Sequence, residues 1–541
     1  MRKTMKTFGT EGPVSPEKNY VVSRTAELTD FIDRIKQGKY LVIFAPRQTG
    51  KTTFFQFALD MLVAEDPTYF PIELNFEAYV DVDTVDFYRS LVEDIREGMG
   101  HNFQKRGSTP TEALVSFLDT AEITDHLSML RFFQHLSNLL GNQKFVVVID
   151  EFDGIPKTAV RGFLHSLRRI YLTRSASQCP HSVGIVGVKS IAQLDYDRSV
   201  SPFNIHDEFA LSNFTLEQVY ELIGQYTDEV GQAFAPEVIE SLHKQTGGQP
   251  FLVNRFAQIL TVELEIPKTE PITMEHFSNA HTRLLREQNR NIQHLLTNIR
   301  RDPRFERVLM EITSYDKGVA FNLDNEVISE LVTYGVIAED TGGMCKIVNP
   351  IYQFRIMRAF KQPVNGLERE YFPEDTRAGF RDYLTPDGHI HMQSLLDNFK
   401  DFIARAGFKI LQIPDTPHEY VGQYLLFTYL DQFVGIVGGN MYLEVQTGRG
   451  RMDLLILHNT RKYIVETKIW EGDLLYEAGK TQLAKYLTIE NANEGYYVVF
   501  DHRKNPEPQV ETQTLHDLKI RSYVIPVVQE RPSDPATQMQ V

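Results

Sequence analysis

The sequence predicts a multidomain α/β protein whose first domain is built on a parallel sheet. The chain has 541 residues, several times the size of one typical hydrophobic core. Its apolar fraction of 42% and charged fraction of 24% are those of folded globular proteins. From residue 20 to about residue 203, short β-branched apolar runs alternate with helical patterns, which is the order of parallel strands joined by crossover helices.

The composition excludes several classes of protein. Only two cysteines occur, Cys179 and Cys345, which argues against a disulfide framework and against a thiolate metal site. The first residues are basic without an apolar run behind them, and no run could span a bilayer, so a cytoplasmic protein without membrane contact is expected. A net charge of −16 excludes indiscriminate coating of nucleic acid, because such binding depends on neutralising phosphates.

Shifts in pattern along the chain predict seven consecutive segments. Helical periodicity, turn residues and polar composition mark their boundaries. In chain order we expect a flexible polar arm (1–19), a parallel-sheet core (20–210), a helical lid (211–300), a winged-helix unit (301–362), a Pro- and Gly-containing linker (363–387), a second α/β domain (388–528) and a disordered tail (529–541).

A tight loop between a strand and a helix predicts a phosphate-binding site. The apolar strand at 40–44 leads into the segment Ala45-Pro46-Arg47-Gln48-Thr49-Gly50-Lys51-Thr52-Thr53, where a helix begins. Backbone N–H groups of such a loop surround phosphates, while Lys51 reaches the outer phosphates and the Thr52 hydroxyl binds Mg²⁺. The usual pattern begins with Gly, and Ala45 stands in that position here.

A second apolar strand, at 145–149, ends in Asp150 and Glu151 and supports the same interpretation. A strand buried on both faces delivers its last residues to the sheet edge where phosphates bind. We therefore expect Asp150 to hold Mg²⁺ and Glu151 to polarise the water that attacks ATP. Taken singly, the loop could be a surface turn and the acidic strand end could be solvated. Both motifs together, in this order, favour a P-loop ATPase.

The region from residue 20 to about residue 260 resembles the AAA-like domains of the STAND class of signal-transducing ATPases, close to the archaeal-ATPase type. Besides the two nucleotide motifs it shares the entry at 20–24, the segment 201–204 and the sequence Gly247-Gly248-Gln249-Pro250-Phe251. The resemblance implies that Pro250 approaches the nucleotide from the lid and senses its state. The residues alone equally describe a helix stop followed by a helix start.

Charged residues in a predicted hairpin suggest a second site for a metal ion. Two strand patterns, 452–457 and 462–469, flank a turn-like break, with Asp453 in the first strand. Glu466 and Lys468 are two residues apart on the second strand and so share one face. Two carboxylates and an amine on one face suit metal-assisted phosphodiester hydrolysis. The alternative is a solvated face with cross-strand ion pairs.

These motifs resemble the PD-(D/E)XK nuclease superfamily, in particular its branch with a Gly-Arg-x-Asp entry. The resemblance implies a site that holds Mg²⁺, or Mn²⁺, through Asp453 and Glu466. Gln482 and Tyr486 are one helical turn apart and match a Gln-x-x-x-Tyr pattern of the superfamily. Glu419 and Glu444 are candidates for a further acidic ligand. On this resemblance the catalytic residues are Asp453, Glu466, Lys468 and Gln482.

The combined motifs predict an ATP-dependent switch that controls a nuclease acting on DNA or RNA, with DNA favoured. The resemblance also suggests roles in defence or mobile-element biology and assembly into homo-oligomers. Two alternatives stay open. In the first, a regulatory ATPase carries a nuclease-like domain that binds nucleic acid without cutting it. In the second, the helical and winged-helix segments bind a protein trigger.

Overall fold

The computed structural model describes most of the chain. It divides into two compact units, residues 1–280 with 332–335 and residues 281–331 with 336–541, which are treated separately below. Within the described part, no helix has the length and apolar character needed to cross a membrane. The described residues are 5–45, 48–173, 178–187, 205–287, 297, 302–313, 319–359, 383–406, 418–447, 450–503 and 506–526.

The first unit contains a parallel sheet with the strand order β2-β3-β4-β1-β5. Its strands are β1 (Tyr40–Phe44), β2 (Tyr69–Asn75), β3 (Lys144–Asp150), β4 (Ser182–Gly187) and β5 (His206–Glu208). Side chains of β1 alternate between two hydrophobic cores, with Tyr40 and Val42 on one face and Leu41 and Ile43 on the other. The sheet is therefore covered on both faces, as the uninterrupted apolar runs predict.

Crossover helices connect these strands. Asp83 caps one of them by accepting hydrogen bonds from the N–H groups of Val85 and Asp86. Short 3₁₀ turns follow β2 and β3 at Glu77–Tyr79 and Phe152–Gly154. The helix α1 (Thr25–Lys36) precedes β1, and the connecting helices are α2 (Lys51–Glu65), α3 (Thr84–Arg106), α4 (Glu112–Thr120), α5 (His126–Leu140) and α6 (Lys157–Thr173).

Helices follow β5, as the periodicity between residues 211 and 300 predicts. Thr215 and Gln218 form a capping box at the start of the first of them. A π-helical turn at Ile259–Glu263 extends the third. The helices are α7 (Leu216–Val230), α8 (Pro236–Thr246), α9 (Pro250–Gln258) and α10 (Met274–Arg286).

Residues 5–19 differ from the flexible arm expected at this end of the chain. The Thr7 N–H donates to the Lys18 carbonyl at 3.0 Å, and the Tyr20 N–H donates to the Thr7 carbonyl at 3.1 Å. Phe8 is 4% exposed and packs against the rings of Tyr20 and Tyr226. A single aromatic residue within a polar segment thus anchors the segment to α7, a long-range contact that composition does not reveal.

The second unit begins with two helices and a two-stranded antiparallel hairpin. These are the elements from which we predicted a winged-helix unit, and that assignment stays a prediction. Residues 360–382 and 527–541, which hold most of the predicted linker and the whole predicted tail, lie outside the described residues. The elements are α11 (Pro303–Thr313), α12 (Glu326–Thr333), β6 (Ile337–Glu339), β7 (Cys345–Ile347) and α13 (Pro350–Ala359).

The remainder of the second unit is a mixed sheet with the order β12-β13-β11-β10-β9-β8. Strands β8, β9 and β10 are antiparallel neighbours, whereas β10, β11 and β13 run parallel. The strands are β8 (Asn440–Thr447), β9 (Gly450–His458), β10 (Arg461–Ile469), β11 (Glu494–Asp501), β12 (Gln509–Leu515) and β13 (Leu518–Pro526). The accompanying helices are α14 (Met392–Ala406), α15 (His418–Ile436) and α16 (Asp473–Ile489).

The predicted hairpin is formed by β9 and β10. Its two-residue turn, Asn459 and Thr460, has φ values of 44° and 66°. Two consecutive left-handed residues give the turn whose twist matches that of antiparallel strands. The turn therefore fixes the register that pairs Leu454 with Val465 and brings Asp453 beside Glu466.

Candidate functional site

The predicted phosphate loop connects β1 to α2. The Ala45 N–H donates to the Gly187 carbonyl at 3.4 Å, which ties the start of the loop to the end of β4. Gln48 and Gly50 adopt left-handed φ values of 60° and 83°, and α2 begins directly afterwards at Lys51. The loop thus turns sharply into a helix N-terminus, whose first N–H groups lack partners within the helix and attract anions.

Lys51, Thr52 and Asp150 lie close together at the C-terminal edge of the sheet. Lys51 is 7% exposed, and its ammonium group donates to the Ala45 carbonyl at 2.7 Å. The Thr52 hydroxyl donates to Oδ2 of Asp150, the last residue of β3, at 2.7 Å. An ammonium group, a hydroxyl and a carboxylate therefore lie at the loop. The hydroxyl and the carboxylate are oxygen ligands of the kind that Mg²⁺ prefers.

The backbone directs Glu151 away from β3. Glu151 has a left-handed φ of 48°, and its N–H donates to Oδ1 of Asp150 at 2.9 Å. The Asp150 carbonyl accepts from the Phe76 N–H at 3.0 Å, which links this strand end to β2. A left-handed conformation of a non-glycine residue costs energy and persists where its surroundings hold it. Glu151 is consequently held half-buried at the same sheet edge as Asp150.

The other residues of the loop have different environments. Thr49 is 3% exposed. The Thr53 hydroxyl accepts a hydrogen bond from the Val14 N–H at 3.2 Å, so the N-terminal segment reaches the first turn of α2. Sequence reasoning missed this contact. Pro46 and Arg47 lie outside the described residues.

The helical segment contacts the phosphate loop through Gln249. The amide N–H of Gln249 donates to the Gln48 carbonyl at 3.3 Å, and its amide oxygen accepts from the Leu252 N–H at 2.7 Å, which caps α9. Gln249 is 4% exposed. The motif containing Gln249 was recognised in the sequence, but the predicted contact was assigned to Pro250. Pro250 is the buried first residue of α9, and its contact with a nucleotide stays a prediction.

The second predicted cluster is also assembled. Asp453 and Glu466 are 4% and 1% exposed. The Asp453 N–H lies 3.4 Å from Oε2 of Glu466, and Nζ of Lys468 lies 3.6 Å from Oε1 of the same carboxyl group. The Lys468 side chain is 29% exposed. Burial of both carboxyl groups rules out the alternative of a solvated strand face.

The environment of Glu466 favours its protonated form. Its pKa is raised to about 8, mainly by burial and then by the neighbouring Asp453 carboxylate, while the Lys468 ammonium group opposes the shift. A buried carboxylate is costly unless a positive charge accompanies it. A divalent cation held by Asp453 and Glu466 would supply that charge and displace the proton.

Thr467 and Gln423, which sequence reasoning missed, fix the orientation of Asp453. The N–H and hydroxyl of Thr467 donate to Oδ2 of Asp453 at 2.8 and 2.9 Å. The Gln423 amide on α15 donates to the Thr467 hydroxyl at 3.1 Å. Gln423 is 6% exposed, and its Oε1 has no hydrogen-bond partner among the described residues. This buried amide oxygen is a further oxygen atom of the type that binds hard cations.

The number of acidic ligands bears on the metal prediction. Among the described residues, no group of three or more His, Cys, Asp or Glu side chains is arranged to hold a metal ion. The side chains of Glu419 and Glu444 lie outside the described part. Asp453 and Glu466 still fit Mg²⁺, which is commonly held by one or two carboxylates together with waters and substrate oxygens.

Gln482 and Tyr486 lie together on α16. The Gln482 amide donates to the Tyr486 hydroxyl at 2.7 Å. Gln482 and Lys468 also line one cavity, so one residue of the helix motif and one residue of the strand cluster face a common space. The two residues of the Gln-x-x-x-Tyr motif therefore contact each other, while a catalytic role for Gln482 stays a prediction.

Comparison with known families identifies the first part of the chain. Residues 10–355 match the AAA-like domain family, which is more than half of the 541 residues. The chain belongs to the AAA-like domain family. The P-loop with Lys51 and Thr52 and the strand ending at Asp150 lie within this AAA-like region, which supports ATP binding. Residues 389–504, which contain the Asp453 cluster, match a family described as a domain of unknown function.

The AAA-like chain is also similar to individual proteins. The Walker-type ATPase PABY2304 of Pyrococcus abyssi is 16% identical, with 64% of this chain and 99% of that chain covered and a TM-score of 0.45. ORC1 of Aeropyrum pernix in complex with DNA is 16% identical, with coverages of 63% and 92% and a TM-score of 0.32. An uncharacterised WD repeat-containing protein of Synechocystis is 24% identical over 243 residues, 44% of this chain. The chain spans 20% of the length of that relative.

Proposed function

We propose that this AAA-like protein is a STAND-type switch, in which ATP binding and hydrolysis control a metal-dependent nuclease in the C-terminal domain, with DNA as the substrate. The observation that carries the nuclease half is the burial of Asp453 and Glu466 beside the partly exposed amine of Lys468. Such a group of side chains is costly to bury and is suited to one divalent ion opposite a phosphate. The ATPase half rests on the family and on the assembled P-loop.

In the ATPase half, Lys51 exchanges its contact with the Ala45 carbonyl for the outer phosphates of ATP, because their negative charge attracts the ammonium group more strongly. Thr52 and Asp150 would hold Mg²⁺, whose charge offsets that of the phosphates. Glu151 orients the attacking water and accepts its proton.

The lid responds through Gln249. Phosphates that enter the loop contact its backbone and so act on the Gln48 carbonyl, which Gln249 binds. Gln249 also caps α9, so a shift of the loop is transmitted to that helix. This single side chain therefore supports a mechanical link between nucleotide binding and the helical segment.

In the nuclease half, Asp453 and Glu466 would hold Mg²⁺ or Mn²⁺, which supplies an acidified water and offsets charge on the phosphate. Thr467 keeps Asp453 in one orientation through two hydrogen bonds. Glu466 would release its proton to solvent on binding the cation. Lys468 extends toward solvent, where its ammonium group stabilises the charge that develops on the phosphate oxygens.

A second candidate function is a regulatory ATPase whose C-terminal domain binds nucleic acid without cutting it. Two observations favour it. The described residues supply two acidic ligands, and Glu466 has a pKa of about 8, so the cluster holds a proton at neutral pH unless a cation binds. On this alternative, Lys468 would contact phosphate and the carboxyl groups would be structural.

A cleavage assay separates the two functions. We expect the wild-type chain to cleave DNA in the presence of Mg²⁺ or Mn²⁺, and Lys468→Met to be slower by roughly 100-fold or more, because the variant keeps the shape of the side chain but loses a charge at the phosphate. Products from single-stranded DNA, duplex DNA and RNA would be followed on gels.

Lys462→Met is the matched control for this assay. Lys462 lies on the same strand, β10, but is exposed and forms an ion pair with Glu490. A surface pair of this kind contributes little, so the control should cleave like the wild type. Failure to cleave any of the three substrates would favour the regulatory ATPase instead. Equal cleavage by Lys468→Met and wild type would contradict the role given to Lys468.

A further inference from the structure

A cavity of about 160 Å³ lies beside the amine of Lys468. Its lining comes from the end of β10, the first turns of α16 and the middle of β11. The carboxyl groups of Asp453 and Glu466 do not line it, so the cavity adjoins the metal-ligand pair without including it. The residues that matter for its chemistry are Lys468, Trp470, Leu475, Tyr476, Gln482 and Tyr497.

Three aromatic rings form the walls of this cavity. The ring centroids of Trp470 and Tyr476 are 5.1 Å apart, and those of Tyr476 and Tyr497 are 5.6 Å apart. The Arg503 guanidinium lies over the Trp470 ring at 4.6 Å from its centroid and helps to hold the ring in place. Gly479 allows α16 to approach closely, since a Cβ at this position would collide with the Tyr497 hydroxyl.

The rim of the cavity is apolar and unusually exposed. Leu475 lines the cavity and is 50% exposed, and the adjacent Leu474 is 85% exposed. The amide of Gln482 and the ammonium group of Lys468 supply hydrogen-bonding groups to the same space. A pocket with flat aromatic walls, an apolar rim and a few polar groups is suited to a planar heteroaromatic ligand.

The volume of the cavity limits its occupant to one ring. A cavity of about 150 Å³ in another protein holds one benzene molecule. The 160 Å³ beside Lys468 is therefore enough for a single six-membered ring and too small for a base pair.

We propose that this cavity binds one unpaired pyrimidine base of a nucleic-acid strand whose phosphate contacts Lys468. The placement of the strand rests on the proposed nuclease function and narrows its substrate to single strands or frayed ends. Aromatic side chains stack on the flat faces of unpaired bases. A base within a duplex is covered by its stacked neighbours and its partner, so it enters such a pocket only after it has been extruded.

Trp470 provides a direct test, because it is the one tryptophan in the sequence. The full chain, without divalent ions, would be titrated with a short oligothymidylate and with an abasic strand of equal length. Both carry the same phosphates, so they differ in bases alone. We expect the oligothymidylate to quench Trp470 fluorescence and to bind about tenfold more tightly than the abasic strand. Equal affinity, or no base-dependent quenching, would overturn the proposal.

A substitution that fills the cavity provides the second test. Ala478 lines the cavity but is exposed on α16, so Ala478→Leu adds volume at a position where a helix tolerates leucine. This variant should bind the oligothymidylate and the abasic strand with equal affinity. Thr481→Leu, at an exposed position of the same helix, is the control and should keep the tenfold preference. A preserved preference in Ala478→Leu would contradict the proposal.

These titrations can fail independently of the nuclease proposal. Base-dependent quenching by a chain that cleaves no substrate would support the pocket and count against the nuclease. Cleavage without base-dependent quenching would support the nuclease and overturn the pocket. An oligodeoxyadenylate that quenches as strongly as the oligothymidylate would overturn the assignment to a pyrimidine.

Discussion

Replacing Lys51 by alanine is expected to weaken ATP binding strongly and, with it, to reduce hydrolysis. The Lys51 ammonium group is buried against the loop carbonyl of Ala45, from which the outer phosphates of ATP would withdraw it. Hydrogen bonds to charged groups contribute about 1.5–3 kcal/mol each, so the dissociation constant should rise by roughly tenfold to more than 100-fold. Equilibrium binding of a fluorescent ATP analogue measures this change.

A second variant of the ATP site and a control variant complete this test. Glu151→Gln should retain ATP binding while hydrolysis slows by about 100-fold or more, because it keeps the shape of the side chain but cannot accept a proton. Lys105→Ala removes an exposed ion pair with Asp60 and should behave like the wild type. Unchanged phosphate release in both Lys51→Ala and Glu151→Gln would refute the assignment of the site.

Glu466→Gln is expected to stabilise the metal-free C-terminal domain at alkaline pH. The folded-state pKa of Glu466, about 8, is above the ordinary value of 4.5. The folded domain therefore benefits from the bound proton at low pH and loses that stability as the pH rises from 4.5 through 8. Among the described side chains, Asp453 and Lys468 are the charged groups that act on Glu466. A neutral glutamine removes this dependence, since it has no proton to lose.

Unfolding monitored by Trp470 fluorescence measures the effect, because Trp470 lies in the C-terminal sheet unit. Between about pH 6 and about pH 8 in EDTA, the wild type should lose about 2 kcal/mol relative to Glu466→Gln. Glu477→Gln is the control, since its side chain is 59% exposed. The same pH dependence of stability in Glu466→Gln and wild type would show that Glu466 does not cause the loss of stability.

The elements of the sheets were predictable where the sequence signal is local. The strands β1 and β3 contain uninterrupted apolar runs, and their observed bounds lie within one residue of the predicted ranges 40–44 and 145–149. The strand β5 (His206–Glu208) was missed because it is short and polar and, within the described part of the chain, pairs only with β1. A strand at the edge of a sheet needs no apolar run, so its position depends on tertiary contacts that the sequence does not display.

The candidate sites were predictable to the extent that their residues lie in one loop or at neighbouring positions on strands. Glu466 and Lys468 share a strand face, and Asp453 follows from the hairpin, so spacing alone places them together. Gln423 reaches the same network from α15, 44 residues before Thr467. Likewise Gln249 meets Gln48 across 201 residues. Such contacts depend on how helices pack against the sheet, which local periodicity does not specify.

The central claim is that the state of the ATP site governs the C-terminal domain. Its most direct test compares DNA cleavage by the wild-type chain and by Lys51→Ala, each with and without ATP, in the presence of Mg²⁺. The account predicts that ATP changes the rate of cleavage by the wild type and leaves the rate of Lys51→Ala unchanged. A wild-type rate that is indifferent to ATP, or an equal response to ATP in both proteins, would contradict it.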